Sequence, residues 1–257
     1  MNADSVENNG VLAWTVRNED AGGVPLVFLH GAGGEKEIWS AVARRFAALR
    51  PDRPLALVDL PGHGDAPPPG RDRIEDYAAE VRAFLDERAW PQFDLAGHSM
   101  GGAISQALAA DMPDRVRRVA LISTGATLDV NPMLIDLLPN QMDLVMEMFE
   151  SFAFGPDTPR GLIDVCLEPL RLVDPVVFRN DFIACRNWNA GERLDAIQAP
   201  CLVAVGEKDW LTPAKRGKFL AANLKNAKLE IFMNAGHMLP VERHRELGDL
   251  LAAFLED

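Results

Sequence analysis

Residues 93–102, FDLAGHSMGG, join a short apolar run to a series of small residues. Glycine stands two residues before Ser99 and two residues after it, where side chains would keep a strand and a following helix apart. This spacing predicts a strand, a tight turn and a helix whose N-terminal end points at the Ser99 hydroxyl. Gly-x-Ser-x-Gly also occurs by chance in loops, so the rest of the chain must decide whether Ser99 is a nucleophile.

Apolar runs alternate with helical patterns on both sides of this stretch. The run at 25–30 is continuously apolar and ends in a glycine-rich loop, which suits a strand buried on both faces. Further strands are predicted at 11–16, 53–59, 116–123, 200–206 and 228–233, and helices at 37–49, 72–87, from Pro213 and from Pro240. The alternation predicts an α/β fold with a mostly parallel central sheet flanked by helices.

The alternation stops between Gly125 and Asp195, where six prolines interrupt short helical stretches. We predict a helical cap over residues 125–195, inserted into an α/β core formed by 1–124 and 196–257. The prolines are Pro132, Pro139, Pro156, Pro159, Pro169 and Pro175. A capping side chain followed by proline predicts helix starts after Asn131, Thr158, Asp174 and Thr212, and Asp72 is a predicted N-cap of the helix over 72–87.

The composition limits the possible partners. A net charge of −12 argues against nucleic acid and anionic membrane surfaces, because both repel an acidic protein. The polar, acidic start at 1–9 predicts no secretion signal, no apolar run approaches the length of a membrane span, and the three cysteines form no metal or redox pair. We expect a cytoplasmic protein without a metal or cofactor, either a monomer or a homo-oligomer.

Later in the chain, an aspartate and a histidine stand where a nucleophilic serine needs partners. A serine hydroxyl reacts only when a base takes its proton, and that base needs a third group to orient it. Asp209 follows a buried strand and His237 follows the last strand, so both are predicted at the sheet edge that carries Ser99. Asp129, which follows an earlier strand, is an alternative for the acid.

Several motifs together resemble the α/β-hydrolase family over nearly the whole chain. They are His30-Gly31, the run 59–64 (DLPGHG), the run 97–102 (GHSMGG), Gly206-x-x-Asp209 and Gly236-His237. The resemblance implies a catalytic triad of Ser99, His237 and Asp209. It also implies an oxyanion hole made by the backbone N–H of Met100 and that of Ala32, with Gly33 as the alternative to Ala32. For His30, His63 and His98 it implies structural bracing of loops, and we expect His244 to face solvent.

The resemblance implies a serine hydrolase that cleaves a small carboxylic ester through an acyl-serine intermediate. Enol-lactone hydrolysis and C–C cleavage of a β-diketone-like compound use the same triad, and residues 181–200 resemble enol-lactonase relatives. Relatives with the same serine turn also catalyse perhydrolysis. A ligand receptor with slow turnover is the alternative from another class. The expected partner is therefore a small-molecule ester, lactone or ketone.

Residues beside the triad and in the cap are candidates for substrate contact. We predict Trp210 and Met238 as pocket walls, with Trp188 as a weaker candidate. The cap also carries methionines and phenylalanines that either line a pocket or pack the cap: Met133, Met142, Met146, Met148, Phe149, Phe152 and Phe154. A C–C hydrolase would need a cation for its substrate's carboxylate, and the candidates are Arg160, Arg171, Arg179, Arg186 and Arg193.

Overall fold

A computed structural model describes residues 5–138 and 140–256. The first four residues of the polar start, Pro139 of the proline series and Asp257 lie outside this range. The strands are β1 (Val6–Asn8), β2 (Ala13–Arg17), β3 (Leu26–Leu29), β4 (Leu55–Asp59), β5 (Phe93–His98), β6 (Val116–Ile122), β7 (Cys201–Gly206) and β8 (Ala227–Phe232). They form one sheet in the order β1-β2-β4-β3-β5-β6-β7-β8.

Ten α-helices accompany these strands in the described residues. They are α1 (Ser40–Leu49), α2 (Ile74–Glu87), α3 (Met100–Asp111), α4 (Pro132–Leu137), α5 (Met142–Ala153), α6 (Arg160–Leu172), α7 (Pro175–Asn187), α8 (Ala214–Asn223), α9 (Leu239–Glu242) and α10 (His244–Phe254). Short 3-10 helices cover Lys36–Trp39 and Gly191–Ala196. None of the described helices combines the length and the apolar character that crossing a bilayer requires.

The sheet is mostly parallel, as the alternation predicts. Only β2 runs against its neighbours β1 and β4, whereas β4, β3, β5, β6, β7 and β8 are joined by parallel pairings. The carboxyl ends of these six strands therefore share one edge, and the loops that carry Ser99, Asp209 and His237 all leave from it. The polar strand β1 was not predicted, because nothing in its sequence alternates.

Apolar layers cover both faces of the sheet. Val27, Leu95 and Val203 belong to a buried cluster on the face covered by α2 and α3. Phe28 and Leu202 belong to the cluster on the other face, which is covered by α1 and α10. The strands read as continuous apolar runs because both faces are buried.

A buried ion pair holds the opposite edge of the sheet. The guanidinium of Arg53 lies 2.5 Å from a carboxylate oxygen of Asp94, and neither side chain is exposed. Arg117 donates to the same oxygen at 3.0 Å. Arg53 also donates to the Leu255 carbonyl at 2.9 Å, which ties the end of α10 to the sheet.

The described residues between 125 and 195 carry four α-helices. Helices begin at Pro132, Arg160 and Pro175, next to all three predicted starts, and two of the three predicted side-chain caps are confirmed. The side chains of Asn131 and Asp174 accept the N–H groups of Met133 and Val176, and a proline occupies the first turn of each helix. We call residues 125–195 the helical segment.

Three predicted N-caps are wrong. No side chain caps α6, since the Thr158 hydroxyl donates to Glu242 instead. At α8 the N–H of Thr212 is bound by Asp209, and the helix begins at Ala214 without a side-chain cap. Asp72 is not the N-cap of α2, because the helix begins at Ile74 with Arg73 before it. The single terminal helix predicted from Pro240 is instead split into α9 and α10 at Arg243.

Gly101 and Gly161 offer a matched pair of glycine-to-alanine substitutions. A Cβ at Gly101 would stand 2.6 Å from the His30 carbonyl oxygen, whereas a Cβ at Gly161 in α6 would contact nothing within 4 Å. We expect Gly101→Ala to lower the free energy of unfolding by about 3 kcal/mol, because the contact is with backbone that cannot move aside. Gly161→Ala should stay within about 1 kcal/mol of wild type, on the stabilising side. Urea unfolding measures both, and equal values would contradict the close approach of α3 to β3.

Candidate active site

Ser99 lies on a strained turn between β5 and α3. Its φ of +53° falls in the left-handed region that a non-glycine residue rarely adopts. The chain at the end of β6 holds the backbone of this turn, because the Ser99 N–H donates to the Ile122 carbonyl at 2.9 Å and the Thr124 hydroxyl donates to the Ser99 carbonyl at 2.9 Å. Gly97 permits the turn, since a Cβ there would stand 2.5 Å from Ser105 Oγ. The Ser99 side chain lines a cavity.

Asp209 and His237 meet at the carboxyl edge of the sheet. His237 Nδ1 and Asp209 Oδ2 are 2.8 Å apart, and both side chains are buried. The other carboxylate oxygen of Asp209 accepts the N–H groups of Leu211 and Thr212 at 2.9 and 2.7 Å. A carboxylate oxygen accepts hydrogen bonds, so this contact favours the tautomer of His237 in which Nδ1 is the donor and Nε2 is the acceptor.

Ser99 and His237 line the same cavity. No hydrogen bond of the Ser99 hydroxyl to His237 is present within the described residues, whereas the bond of His237 to Asp209 is formed. Hydrogen bonds between nucleophile and base are often long in unliganded enzymes and shorten when substrate binds. Asp129, the alternative acid, is exposed and pairs with Arg216, so it does not contact His237.

His98 supports the His237 loop from below. Its Nε2 lies 3.0 Å from the His237 carbonyl oxygen, and the two ring centroids are 4.9 Å apart. Burial first, and then the neighbouring His237, lower the pKa of His98 to about 3. The ring is therefore neutral, and it donates from Nε2 because a carbonyl oxygen can only accept.

Glu242 on α9 binds the backbone on both sides of His237, and sequence reasoning missed it. Its carboxylate accepts the N–H of Gly236 at 3.0 Å and that of Met238 at 3.1 Å. It also accepts the Gly155 N–H and the Thr158 hydroxyl, each at 2.8 Å, from the helical segment. The His237 N–H itself donates to the Ala153 carbonyl at 2.6 Å. The loop that presents His237 is thus bound directly to the helical segment.

The backbone donors predicted beside Ser99 differ in what already occupies them. Met100 is the first residue of α3, so no carbonyl of the helix accepts its N–H. The Gly33 N–H donates to Asp181 Oδ2 at 2.8 Å. A donor held by a buried carboxylate cannot also serve a substrate, so Ala32 is the better of the two candidates that the sequence left open.

The cavity beside Ser99 has a volume of about 1290 Å³, and the body and the helical segment both contribute to its wall. The predicted residues Trp210 and Met238 line it, Trp210 being largely exposed and Met238 buried. Trp188 does not line the cavity, which corrects the prediction, because it packs into the core cluster of α3. His244, predicted to face solvent, is half-buried and lines the cavity.

The methionines and phenylalanines of the helical segment divide between the two predicted roles. Met148, Phe149 and Phe152 line the cavity, whereas Met146 and Phe154 are buried in the packing of the segment. Met142 packs against the same cluster, and Met133 is about half exposed. None of the five arginines named above as possible carboxylate partners lines the cavity. Two of them form ion pairs elsewhere, Arg160 with Glu150 and Asp164, and Arg193 with Asp111.

Comparison with known proteins identifies the family. The model described as "Alpha/beta hydrolase family" matches residues 26–250. The chain belongs to this family of hydrolases. The enzyme is 31% identical over 243 residues to the dihydrolipoyllysine-residue acetyltransferase component of the acetoin cleaving system of Pseudomonas putida. The match covers 91% of this chain but only 64% of that protein, so the chain spans less than two thirds of its length.

Two further proteins are similar to this α/β-hydrolase. The pimeloyl-[acyl-carrier protein] methyl ester esterase of Neisseria meningitidis serogroup A is 30% identical over 236 residues, covering 86% of this chain and 73% of that protein. The crystal structure of the enol-lactonase from Burkholderia xenovorans LB400 superposes with a TM-score of 0.87 at 23% identity, over 97% of this chain and 99% of that one. At that identity the second match shows the fold alone.

Glu242 generates a prediction that separates a bound carboxylate from a surface one. Backbone N–H groups face both of its oxygens, so in Glu242→Gln the amide NH₂ must face a donor whichever way it turns. We expect the free energy of unfolding to fall by about 2 kcal/mol. Glu246→Gln is the control, because Glu246 is exposed and pairs with Arg243 on the surface, and we expect a change under about 0.5 kcal/mol. Urea unfolding of both variants is the measurement, and an unchanged Glu242→Gln would contradict the role of Glu242 as an anchor.

Proposed function

We propose that this α/β-hydrolase cleaves an uncharged carboxylic ester through an acyl-serine intermediate on Ser99. The observation that carries the proposal is the His237–Asp209 hydrogen bond of 2.8 Å at the wall of the cavity that Ser99 also lines. In this assignment His237 is the general base and Asp209 orients its ring and stabilises the imidazolium that forms. The order Ser, Asp, His along the chain supports it.

The proposed reaction proceeds in two halves. Ser99 Oγ attacks the ester carbonyl carbon while its proton passes to His237 Nε2, and a tetrahedral oxyanion forms. The bond to the alcohol oxygen then breaks as His237 returns the proton to the leaving alcohol, which leaves an acyl-serine. Water repeats these steps: it gives a proton to His237, attacks the acyl group, and releases the acid as Ser99 regains its proton.

The oxyanion needs donors that are in place before the reaction. The N–H groups of Met100 and Ala32 are assigned to this role. The positive end of the α3 dipole adds to the effect, since Met100 opens that helix. Both donors belong to the main chain, so the loops that hold them, rather than their side chains, determine the geometry.

The charges around the cavity support an uncharged substrate. Among the described residues, six carboxylate side chains line it: Glu35, Glu37, Asp65, Asp129, Glu168 and Asp174. Burial first, and then repulsion by Asp59 and Glu37, raise the pKa of Glu35. Of the cations in the wall, Lys36 is bound by Asp59 and Asp65 and Arg216 by Asp129, while Arg44 is exposed. An anionic substrate, such as the one a C–C hydrolase of this family would hold, meets repulsion here.

The name of the Neisseria relative supports an ester as the reacting group, since that protein is named for cleaving a methyl ester. Most of the side chains that line the cavity in the helical segment are apolar, among them Val145, Phe149 and Leu170. Such a wall suits an apolar acyl chain.

Ser99→Ala tests the nucleophile. We expect kcat for p-nitrophenyl butyrate to fall by at least about 10⁴-fold with an unchanged circular dichroism spectrum, because the acyl-serine can no longer form. A fluorophosphonate reagent should label wild type at Ser99 and leave the variant unlabelled, as read by peptide mass spectrometry. Full turnover by the variant would remove Ser99 from the mechanism. If wild type turns over this ester and the substrates named below far more slowly than the ~10 s⁻¹ median of enzymes, the alternative function of a ligand receptor is favoured.

A pair of esters that differ by one charge tests the substrate preference. We expect kcat/KM for dimethyl adipate to exceed that for monomethyl adipate by about tenfold or more, because the free carboxylate of the monoester enters an acidic cavity. Raising the salt concentration should narrow the ratio. A preference for the monoester would contradict the proposal. An enol-lactone and a vinylogous β-diketone in the same panel distinguish the two alternative reactions on this triad.

A further inference from the structure

Asp181 on α7 connects the helical segment to the loop beside Ser99. The residue is fully buried, and its carboxylate is bound by three donors of the body. Oδ2 accepts the Gly33 N–H at 2.8 Å and faces His63 Nε2 at 2.8 Å. Oδ1 accepts the Tyr77 hydroxyl at 2.5 Å. The catalytic assignment uses none of these contacts.

The geometry makes this carboxylate an ionised acceptor. His63 Nδ1 faces the Pro61 carbonyl at 3.1 Å, and a carbonyl oxygen can only accept, so Nδ1 carries a proton. His63 Nε2 faces a carboxylate that already accepts from Gly33 and Tyr77, so it carries a proton as well. Burial alone would lower the pKa of His63, but the charge and hydrogen bond of Asp181 outweigh it and the pKa is raised. His63 is therefore the imidazolium partner of Asp181.

Helix α7 also packs a side chain against Gly33. Gly33 has a φ of +65°, and a Cβ there would stand 2.7 Å from the ring of Phe178, one turn before Asp181 on α7. The N–H of Gly34 donates to the Gly31 carbonyl at 3.1 Å and closes the turn on the other side. The Ala32–Gly33 peptide thus has one fixed orientation, and Ala32 lies inside a turn whose two ends are both held.

We propose that Asp181 is a positioning residue for the oxyanion hole: by accepting the Gly33 N–H it directs the N–H of Ala32 toward the carbonyl oxygen of the substrate. This inference rests on the proposed function, because it requires an oxyanion beside Ser99. Asp181 is not among the described residues that line the cavity, so it acts through the backbone. Its loss should weaken binding of the tetrahedral state more than binding of the ester.

Three variants remove, weaken or retain the acceptor of the Gly33 N–H hydrogen bond. Asp181→Ala removes it. Asp181→Asn keeps a neutral oxygen for the Gly33 N–H and can turn its NH₂ to Tyr77, whose hydroxyl oxygen can accept. Tyr77→Phe is the matched control, because it removes one hydrogen bond from the same carboxylate but from Oδ1, the oxygen that does not bind Gly33.

We expect kcat for p-nitrophenyl butyrate to fall about 30-fold to 100-fold in Asp181→Ala and about 3-fold to 10-fold in Asp181→Asn, with KM within about twofold of wild type. The inhibition constant of an aryl trifluoromethyl ketone, which forms a tetrahedral adduct on the serine, should rise by the same factors. Tyr77→Phe should match wild type in both measurements. Urea unfolding of each variant gives the stability against which these changes are compared.

Amide hydrogen exchange provides a readout that does not depend on activity. The Gly33 N–H should exchange fastest in Asp181→Ala, at an intermediate rate in Asp181→Asn and as in wild type in Tyr77→Phe. If Asp181→Ala does not fold, Asp181→Asn against Tyr77→Phe decides the matter by the same three measurements.

Equal kcat and equal ketone affinity in the Asp181 variants and Tyr77→Phe would overturn the inference and leave the proposed function intact. The inference would also be overturned if the losses of kcat and of ketone affinity in all three variants simply paralleled their losses of unfolding free energy. Failure of the proposed function looks different, because wild type itself would then neither hydrolyse an ester nor be labelled at Ser99.

Discussion

The close approach of α3 to the sheet is the constraint on which the site depends. Gly97 and Gly101 have no side chains where the backbones of β5 and α3 meet. The backbone at the end of β3, at Leu29 and His30, also lies against Gly101. That contact forces the chain through a positive φ at Ser99 and directs the first N–H groups of the helix toward the serine. The strain is local, and the hydrogen bonds to Ile122 and Thr124 hold it in place.

Much of this arrangement could be predicted from the sequence, because it is encoded by residues that are neighbours along the chain. Continuous apolar runs predicted buried parallel strands, and Asp209 and His237 follow two of those strands. In a parallel sheet, residues that follow strands share one edge whatever the length of chain between them. The Asp209–His237 hydrogen bond therefore links residues whose meeting the strand order alone suggested.

The predictions failed where a side chain contacts a distant part of the chain instead of taking the role that its local sequence suggests. Thr158 has the sequence context of an N-cap, but its hydroxyl binds Glu242 from a distant part of the chain. Trp188 sits in a segment rich in candidate pocket residues, yet it packs into the core. Nothing in the sequence marked Asp181 or Glu242 as an anchor, since a carboxylate on a helix normally faces solvent and only the fold shows which donors surround it.

The two anchoring carboxylates change how the helical segment should be viewed. Asp181 binds the segment to the loop of Gly33, and Glu242 binds it to the loop of His237, so two loops of the cavity wall are each anchored to the segment. Movement of the segment away from the body would have to break the hydrogen bonds of both Asp181 and Glu242. Diversification among such enzymes is then easiest at side chains that only face the cavity, such as Phe152 and Leu172. A chimera that imports this segment from another hydrolase must bring an acid to position 181 or rebuild the loop it holds.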